Sequence, residues 1–299
     1  MGFSYYVYPG AHHTRFEHAI GAMHLMQEVI AVLRKKGVEI SEEEAEAMQL
    51  TILLHDIGHG PFSHTTEALL AGMIMHEEVS LEVMKRLNDQ FNGALDMAIA
   101  IFTDKYQRKF MHQLIVGQVD LDRMDYLKRD SFYSGATEGN INSKRIIEMM
   151  AVVDDQLAFE EKSIYSIEKF LMARRLMYWQ VYLHRTVLCA EFMLMRVLKR
   201  AKALALSGVD VFTTPALSIF INESLDRAKF IADPEILNRF CELDDSDITC
   251  GLKVWQHHED PILSELSKRI VHRNLFQIEL RSQPFSNEEV ETTIQNVAK

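Results

Sequence analysis

Leu53-Leu54-His55-Asp56-Ile57-Gly58-His59-Gly60-Pro61-Phe62-Ser63-His64 is the stretch on which the fold of this chain turns. Two strong metal ligands, His55 and Asp56, stand side by side at the end of an apolar run made by Met48, Leu50, Ile52, Leu53 and Leu54. Ser41 and Glu44 have capping-box spacing ahead of that run, which predicts a helix reaching Ile57 and stopping at Gly58. Neighbouring side chains on a helix point about 100° apart. His55 and Asp56 can therefore meet one ion only beyond a helix terminus, and the Gly58–Gly60 break supplies one. A buried Asp beside a His with no partner is costly, and a cation removes that cost. A His-Asp pair at a helix end is common by itself; the Gly-His-Gly that follows it here is not.

Outward from this stretch, histidine is concentrated. Of 13 histidines, 8 fall between positions 12 and 76: His12, His13, His18, His24, His55, His59, His64 and His76. Histidine is the commonest metal ligand and the acid/base of neutral pH. His12, His13 and His24 read as a chance run of solvated rings. His18, in Thr14-Arg15-Phe16-Glu17-His18, is a candidate third ligand near the start of a helix expected from Arg15 to Lys36, with Gly37 as its C-cap. A further carboxylate is available in the segment from Asp120 to Asp130, where Asp120, Asp122, Asp125 and Asp130 alternate with bases. Taken alone, that segment equally fits a salt-bridged helix face.

No proline lies between Pro61 and Pro215, and a stretch that long, rich in Met, Leu, Ala, Glu and Lys, predicts long helices. The longest is expected from Ser166 to about Leu206. Asp233-Pro234 and Asp260-Pro261 have the form of an N-cap followed by a first-turn proline. Ala151–Val153 and Leu157–Phe159 flank an Asp-Asp turn and predict a hairpin; Leu275–Leu280 is expected as a late strand. The polar tail after Gln283 is expected to fray. No repeat or flexible linker interrupts the chain. The fold class is mostly α, one helical bundle with a small β appendage.

Composition bounds the function. The 299 residues are 47% hydrophobic and 25% charged, with a formal net charge of −11. An acidic chain is poorly suited to a nucleic-acid backbone, although a few bases and a metal can still hold a small anion. Cys189, Cys241 and Cys250 are too few for a disulfide framework or a cysteine zinc site. With no signal peptide and no apolar run of bilayer length, the expected compartment is the cytoplasm.

The combination of Arg15-Phe16-Glu17-His18, His55-Asp56 and Asp122-Arg123-Met124-Asp125-Tyr126 resembles the HD-domain phosphohydrolase superfamily. Gly58-His59-Gly60-Pro61-Phe62-Ser63-His64 and Tyr182-Leu183-His184-Arg185 resemble its deoxynucleoside triphosphate triphosphohydrolase (dGTPase-like) branch. The likeness covers residues 5–190 well and fades toward 280. It implies an HD domain over 1–210 and a helical extension over 211–299 packed on it as one unit. It implies metal ligation by His18, His55, Asp56 and Asp122, with Fe, Mn, Zn, Ni, Co or Mg as the ion. It implies catalytic roles for His59, His64, Glu67 and His76, with Glu67 orienting a histidine. Arg15, Arg123 and Arg185 match phosphate contacts, and Tyr126, Asp130 and Tyr182 match residues around the sugar. At 123 and 185 Arg stands where the family carries Lys, which keeps charge but replaces a point by a planar fork.

The implied reaction is metal-dependent hydrolysis of a deoxynucleoside triphosphate to deoxynucleoside and triphosphate, by a cytoplasmic homo-oligomer. The alternatives are an HD nucleotidase acting on monophosphates and a nucleotide sensor without turnover. Arg273-Asn274-Leu275-Phe276-Gln277 resembles a segment that binds an allosteric nucleotide in activated relatives, with Gln277 where Lys is expected. Met1-Gly2-Phe3-Ser4-Tyr5-Tyr6 falls inside what resembles the family's opening segment, so the family's preceding helix, with its Gln-Leu contact to the sugar, is expected to be missing.

Overall fold

The computed structural model describes residues 2–63, 65–67 and 74–297. Three helices carry the His-Asp stretch and the segments read with it. Helix α1 (Arg15–Lys35) opens on a capping box between Thr14 and Glu17 and closes at Gly37, whose φ of +86° lets the chain turn so that Val38 N–H reaches Leu33 O. Helix α2 (Glu42–Leu54) opens on the reciprocal Ser41–Glu44 cap. It ends at Leu54, one turn earlier than expected. There Ser80 Oγ accepts from Gly58 N–H at 2.9 Å and donates to His55 O at 2.8 Å, so the turn is satisfied without further helix.

Helix α3 (His76–Gln90) carries Ser80. Short helices α4 (Asp96–Phe102) and α5 (Lys109–Gln113) lead to α6 (Leu121–Ser134), capped by Asp120, whose carboxylate accepts from Arg123 N–H at 2.8 Å. Helix α1 packs on both α2 and α6, which brings the three segments with the expected ligands to one place. After α7 (Ser143–Glu148) come strands β1 (Met150–Val153) and β2 (Gln156–Phe159), antiparallel with Met150 opposite Phe159. Asp154 and Asp155 take φ of 51° and 57°, the left-handed pair that a two-residue hairpin turn needs.

The single helix expected from Ser166 to Leu206 is two. Helix α8 (Ile164–Met177) gives way to a π turn at Tyr178–Tyr182, and α9 (Arg185–Leu206) starts afresh with His184 as its cap. Tyr8 Oη donates to Gln180 O at 2.7 Å, and Tyr182 Oη donates to Asp130 at 2.6 Å. These long-range bonds hold the turn open against a strong local helix preference. Helices α10 (Pro215–Asn222), α11 (Arg227–Ala232), α12 (Pro234–Glu242), α13 (Asp245–Trp255) and α14 (Pro261–Val271) follow, and both Asp-Pro starts are helix N-termini.

No strand forms at 275–280. A strand needs a neighbour, and here Leu275 and Ile278 pack on the core while Cys189 Sγ donates to Phe276 O. The tail is helical rather than frayed: α15 (Asn287–Val297) is started by mutual bonds between Ser286 and Glu289, a local signal that composition hides.

Apolar side chains form two clusters. One joins α1, α2 and α4–α8 with the hairpin around Met26, Met48, Ile52, Phe110 and Phe170. The other joins α9–α14 around Phe220, Phe240 and Trp255, and takes in Phe3, Phe62 and Val79. Among the described residues no helix is long and apolar enough to cross a membrane.

Asp260 ties the second cluster together. It caps α14 by accepting from Leu263 N–H at 2.8 Å and pairs with Arg200 of α9, which holds its pKa down at about 2. A depressed carboxylate stabilises the fold above its unfolded pKa and loses that contribution as pH falls toward the folded value. Asp260→Ala is expected to cost ~1–2 kcal/mol at neutral pH, as loss of a cap does. In urea melts the gap to wild type should narrow from about pH 5 to about pH 2. A gap independent of pH would mean that the carboxylate charge contributes nothing.

Candidate metal and phosphohydrolase site

His18 is one turn into α1, His55 and Asp56 lie just past α2, and Asp122 is in the first turn of α6. One donor atom from each of the four lies within 4.8 Å of the others. His18 Nε2 is 3.1 Å from Asp122 Oδ1, and His55 Nε2 is 3.4 Å from both Asp122 Oδ1 and Asp56 Oδ1. Each ring is held by its other nitrogen. His18 Nδ1–H donates to Asp125 Oδ2 at 2.7 Å, and His55 Nδ1–H donates to Ile52 O at 2.7 Å. Both Nε2 atoms therefore point at the carboxylates.

The electrostatics favour a cation. Burial opposes a charged His18, yet Asp122 and Asp125 outweigh it and push its pKa up to about 10. His55 is raised by Asp56 and Asp122, again against burial. Burial would raise Asp122, but His18 and His55 hold it well below the usual carboxylate range. His55 Nε2 is buried and makes no hydrogen bond. An unpartnered imidazole nitrogen facing two carboxylates is costly by itself and is satisfied by a metal ion, so the residues present fit one. Two imidazoles and two carboxylates suit Fe, Mn, Zn, Co or Ni.

Beside this quartet lies a second group. The rings of His59 and His76 stack with centroids 3.8 Å apart, and His59 Nε2 is 3.8 Å from Asp56 Oδ1. Gly58 makes this possible: a Cβ there would run into His76 O and Ser80 N, so only glycine lets the turn sit on the start of α3. Glu67 Oε1 is 3.0 Å from His76 Nδ1 and also accepts from His76 N–H. The i+3 spacing of Glu67 from His64 was expected to put both on one helix face; the histidine that Glu67 bonds is His76. His64 lies outside the described residues. Arg15 reaches the same edge, donating to Asp56 Oδ2 at 3.3 Å and to Ser63 Oγ.

The expected sugar and phosphate residues are distributed unevenly. The Tyr126 ring is 6.5 Å from that of His18 and 6.1 Å from that of Tyr182. Asp130 is buried, with Oδ2 accepting from Tyr182 Oη and Oδ1 accepting from His13 Nε2 at 2.7 Å. Arg123 is paired with Asp120 at the start of its own helix, and its Nε is buried without a hydrogen-bond partner. Arg185 opens α9 with an exposed side chain.

The sequence reading missed two residues and misplaced a third. Asp125 fixes the orientation of His18; its position one turn after Asp122 was the available signal. Arg129 grips Asp125 with two bonds of 2.8 Å. His13 is not a solvated ring: its side chain is 5% exposed and stacks on Tyr133 with centroids 4.5 Å apart. His12 and His24 are exposed, as expected.

Comparison with known proteins agrees with this geometry. Residues 15–130 match the HD domain family and 141–212 the HD associated region. The chain is 33% identical over 285 residues to the uncharacterized protein YwfO of Bacillus subtilis, covering 93% of this chain and 63% of that one. It is 29% identical over 299 residues to the deoxynucleoside triphosphate triphosphohydrolase SAMHD1 homolog of Dictyostelium discoideum, covering 93% and 53%. The chain thus spans less than two thirds of the length of these curated relatives. A crystal structure of a phosphohydrolase from Bacteroides thetaiotaomicron superposes with a TM-score of 0.95 at 51% identity, covering 99% of this chain and 74% of that one. With the expected ligands brought together by three packed helices and these relatives around it, the chain belongs to the HD-domain phosphohydrolase superfamily.

Proposed function

We propose that the protein hydrolyses deoxynucleoside triphosphates to deoxynucleoside and inorganic triphosphate. The observation that carries this reading is the quartet of His18, His55, Asp56 and Asp122 set directly against the stacked His59–His76 pair, with Glu67 behind it. A divalent ion held by the quartet would supply Lewis acidity and a water of lowered pKa. The protein's own groups do the rest. His76, oriented through Nδ1 by Glu67, offers its other nitrogen as the proton donor to the leaving 5′-oxygen. His59 and Arg15 face the same edge and neutralise charge on the phosphate chain; groups of this kind contribute ~3–4 kcal/mol each. His64 belongs to the same proposal by sequence position. Tyr126 and Tyr182 form the aromatic wall for the sugar, with Asp130 behind Tyr182. Arg185, three residues past Tyr182, is assigned to the distal phosphates. Assembly as a homo-oligomer and activation by a nucleotide at the Arg273 segment are part of this reading.

Product analysis tests it. The purified protein loaded with Mn²⁺ should release triphosphate from the four deoxynucleoside triphosphates. Release of orthophosphate, or turnover of monophosphates alone, would overturn the assignment. Selectivity for the sugar should follow from Tyr126. An added 2′-hydroxyl against a packed ring is an overpacking cost of ~1–3 kcal/mol. The kcat/KM for dGTP should accordingly exceed that for GTP by at least about tenfold. Equal values would remove Tyr126 from its role.

A further inference from the structure

Gly21 sits in the interior of the 21-residue helix α1, where glycine costs ~1 kcal/mol relative to alanine. Nothing in the helix itself calls for it, since no positive φ occurs there. What occupies the space above it is the Asp125–Arg129 pair of α6. A Cβ at position 21 would run into Arg129 Nη2 and Asp125 Oδ1, and would stand 2.9 Å from Asp125 Cγ. Gly21 is also one turn beyond His18, on the same face of α1.

The pair is ordered throughout. Arg129 Nε donates to Asp125 Oδ2 and Nη2 to Oδ1, both at 2.8 Å, a fork on both oxygens. Asp125 Oδ2 has one further donor, His18 Nδ1–H at 2.7 Å. The carboxylate is 9% exposed, and both its oxygens are taken up by Arg129 and His18. It stays an anion aimed at one imidazole nitrogen.

We propose that Gly21 and Arg129 are positioning residues for the metal: the bare backbone at 21 admits the Asp125–Arg129 fork, and the fork fixes the ring of His18 with Nε2 toward Asp56 and Asp122. This rests on the proposal that His18 is a metal ligand, and deepens it. Carboxylates that orient ligating imidazoles typically matter 10–100-fold in metal affinity. The physics separates this role from a merely structural one. Alanine at 21 gains ~1 kcal/mol of helix propensity, which works against the cost of pushing the fork aside, so stability and metal affinity need not fall together. The same methyl displaces the fork and frees the ring.

The test uses the full chain loaded with Mn²⁺, with affinity read by chelator competition and fold by urea melts of the metal-free protein. Gly21→Ala is expected to weaken Mn²⁺ binding about 10–100-fold while the metal-free urea midpoint stays close to wild type, the gain in helix propensity offsetting the displaced fork. Arg129→Met, which leaves the backbone of α1 untouched, should weaken binding in the same direction. The double variant should be no weaker than the worse single variant, because both act through Asp125. Wild-type affinity in Gly21→Ala, additive losses in the double variant, or a lowered midpoint that accounts for the loss would each overturn the proposal. A wild-type chain that binds no Mn²⁺ would instead fail the metal assignment itself, and the positioning role with it.

Discussion

Asp56→Ala and His55→Ala are expected to release the bound metal and to lower turnover by at least about 10³-fold, with the helical fold intact. The two carboxylates are the more exposed members of the quartet. Asp56 lies in the turn after α2 with its side chain 22% exposed, and its contacts are Arg15 and the facing imidazoles. Its removal relieves the crowding of two carboxylates in the metal-free protein, so the metal-free form should lose little stability. What should vanish is the stabilisation that metal confers. A ligand that binds only the folded state adds about 2.7 kcal/mol at 100 times its Kd. Wild type should therefore melt higher with Mn²⁺ than without, and Asp56→Ala should melt alike in both. His55→Ala removes a buried ring and its bond to Ile52 O, so it should also destabilise the metal-free chain. Full metal occupancy in Asp56→Ala, measured by elemental analysis, would place the ion elsewhere.

The His55-Asp56 pair was legible because its signals are local, whereas Asp122 was picked out of four carboxylates by the family resemblance. His55 and Asp56 are adjacent, and the glycines after them mark a helix end. His18 follows a Thr14–Glu17 cap, and Asp122 follows the Asp120 cap. Caps, the Asp-Pro helix starts and the Asp154-Asp155 hairpin are likewise short-range chemistry. What was illegible depends on partners far along the chain. His13 looked like a surface ring because its partner, Asp130, is 117 residues away. Asp125 reads as one more charge on a salt-bridged helix until His18, 107 residues away, is placed against it. The break between α8 and α9 has no glycine or proline to announce it; it exists because Tyr8 and Asp130 draw the backbone and side chains of the π turn toward them. The tail shows the opposite failure: a clear Ser286–Glu289 cap was outweighed by the polar composition around it.

His76→Ala is expected to lower kcat by about 10²–10⁴-fold with metal content unchanged, the usual contribution of a positioned acid or base. Three features single out His76. Its ring lies flat on that of His59, which keeps it beside Asp56 and hence beside the metal ligands. Its Nδ1 is committed to Glu67, so its tautomer and orientation are set before substrate arrives. Its other nitrogen is 3.4 Å from Glu77, whose side chain is 57% exposed and can move aside without desolvation cost. Glu67 bonds His76 at both its Nδ1 and its backbone N–H, so Glu67→Gln, which keeps a side-chain oxygen able to accept from Nδ1, should cost about tenfold in kcat. His24→Ala, exposed and remote from the quartet, is the control and should change kcat less than about twofold. A loss under about threefold at His76, with His24→Ala equally mild, would assign the proton to His59 or His64 and leave Glu67 as a structural support for the start of α3. If His76→Ala instead loses metal together with activity, the ring belongs to the ligand set, as the proximity of Asp56, His59 and His76 donor atoms allows, and the acid must be sought among the remaining histidines.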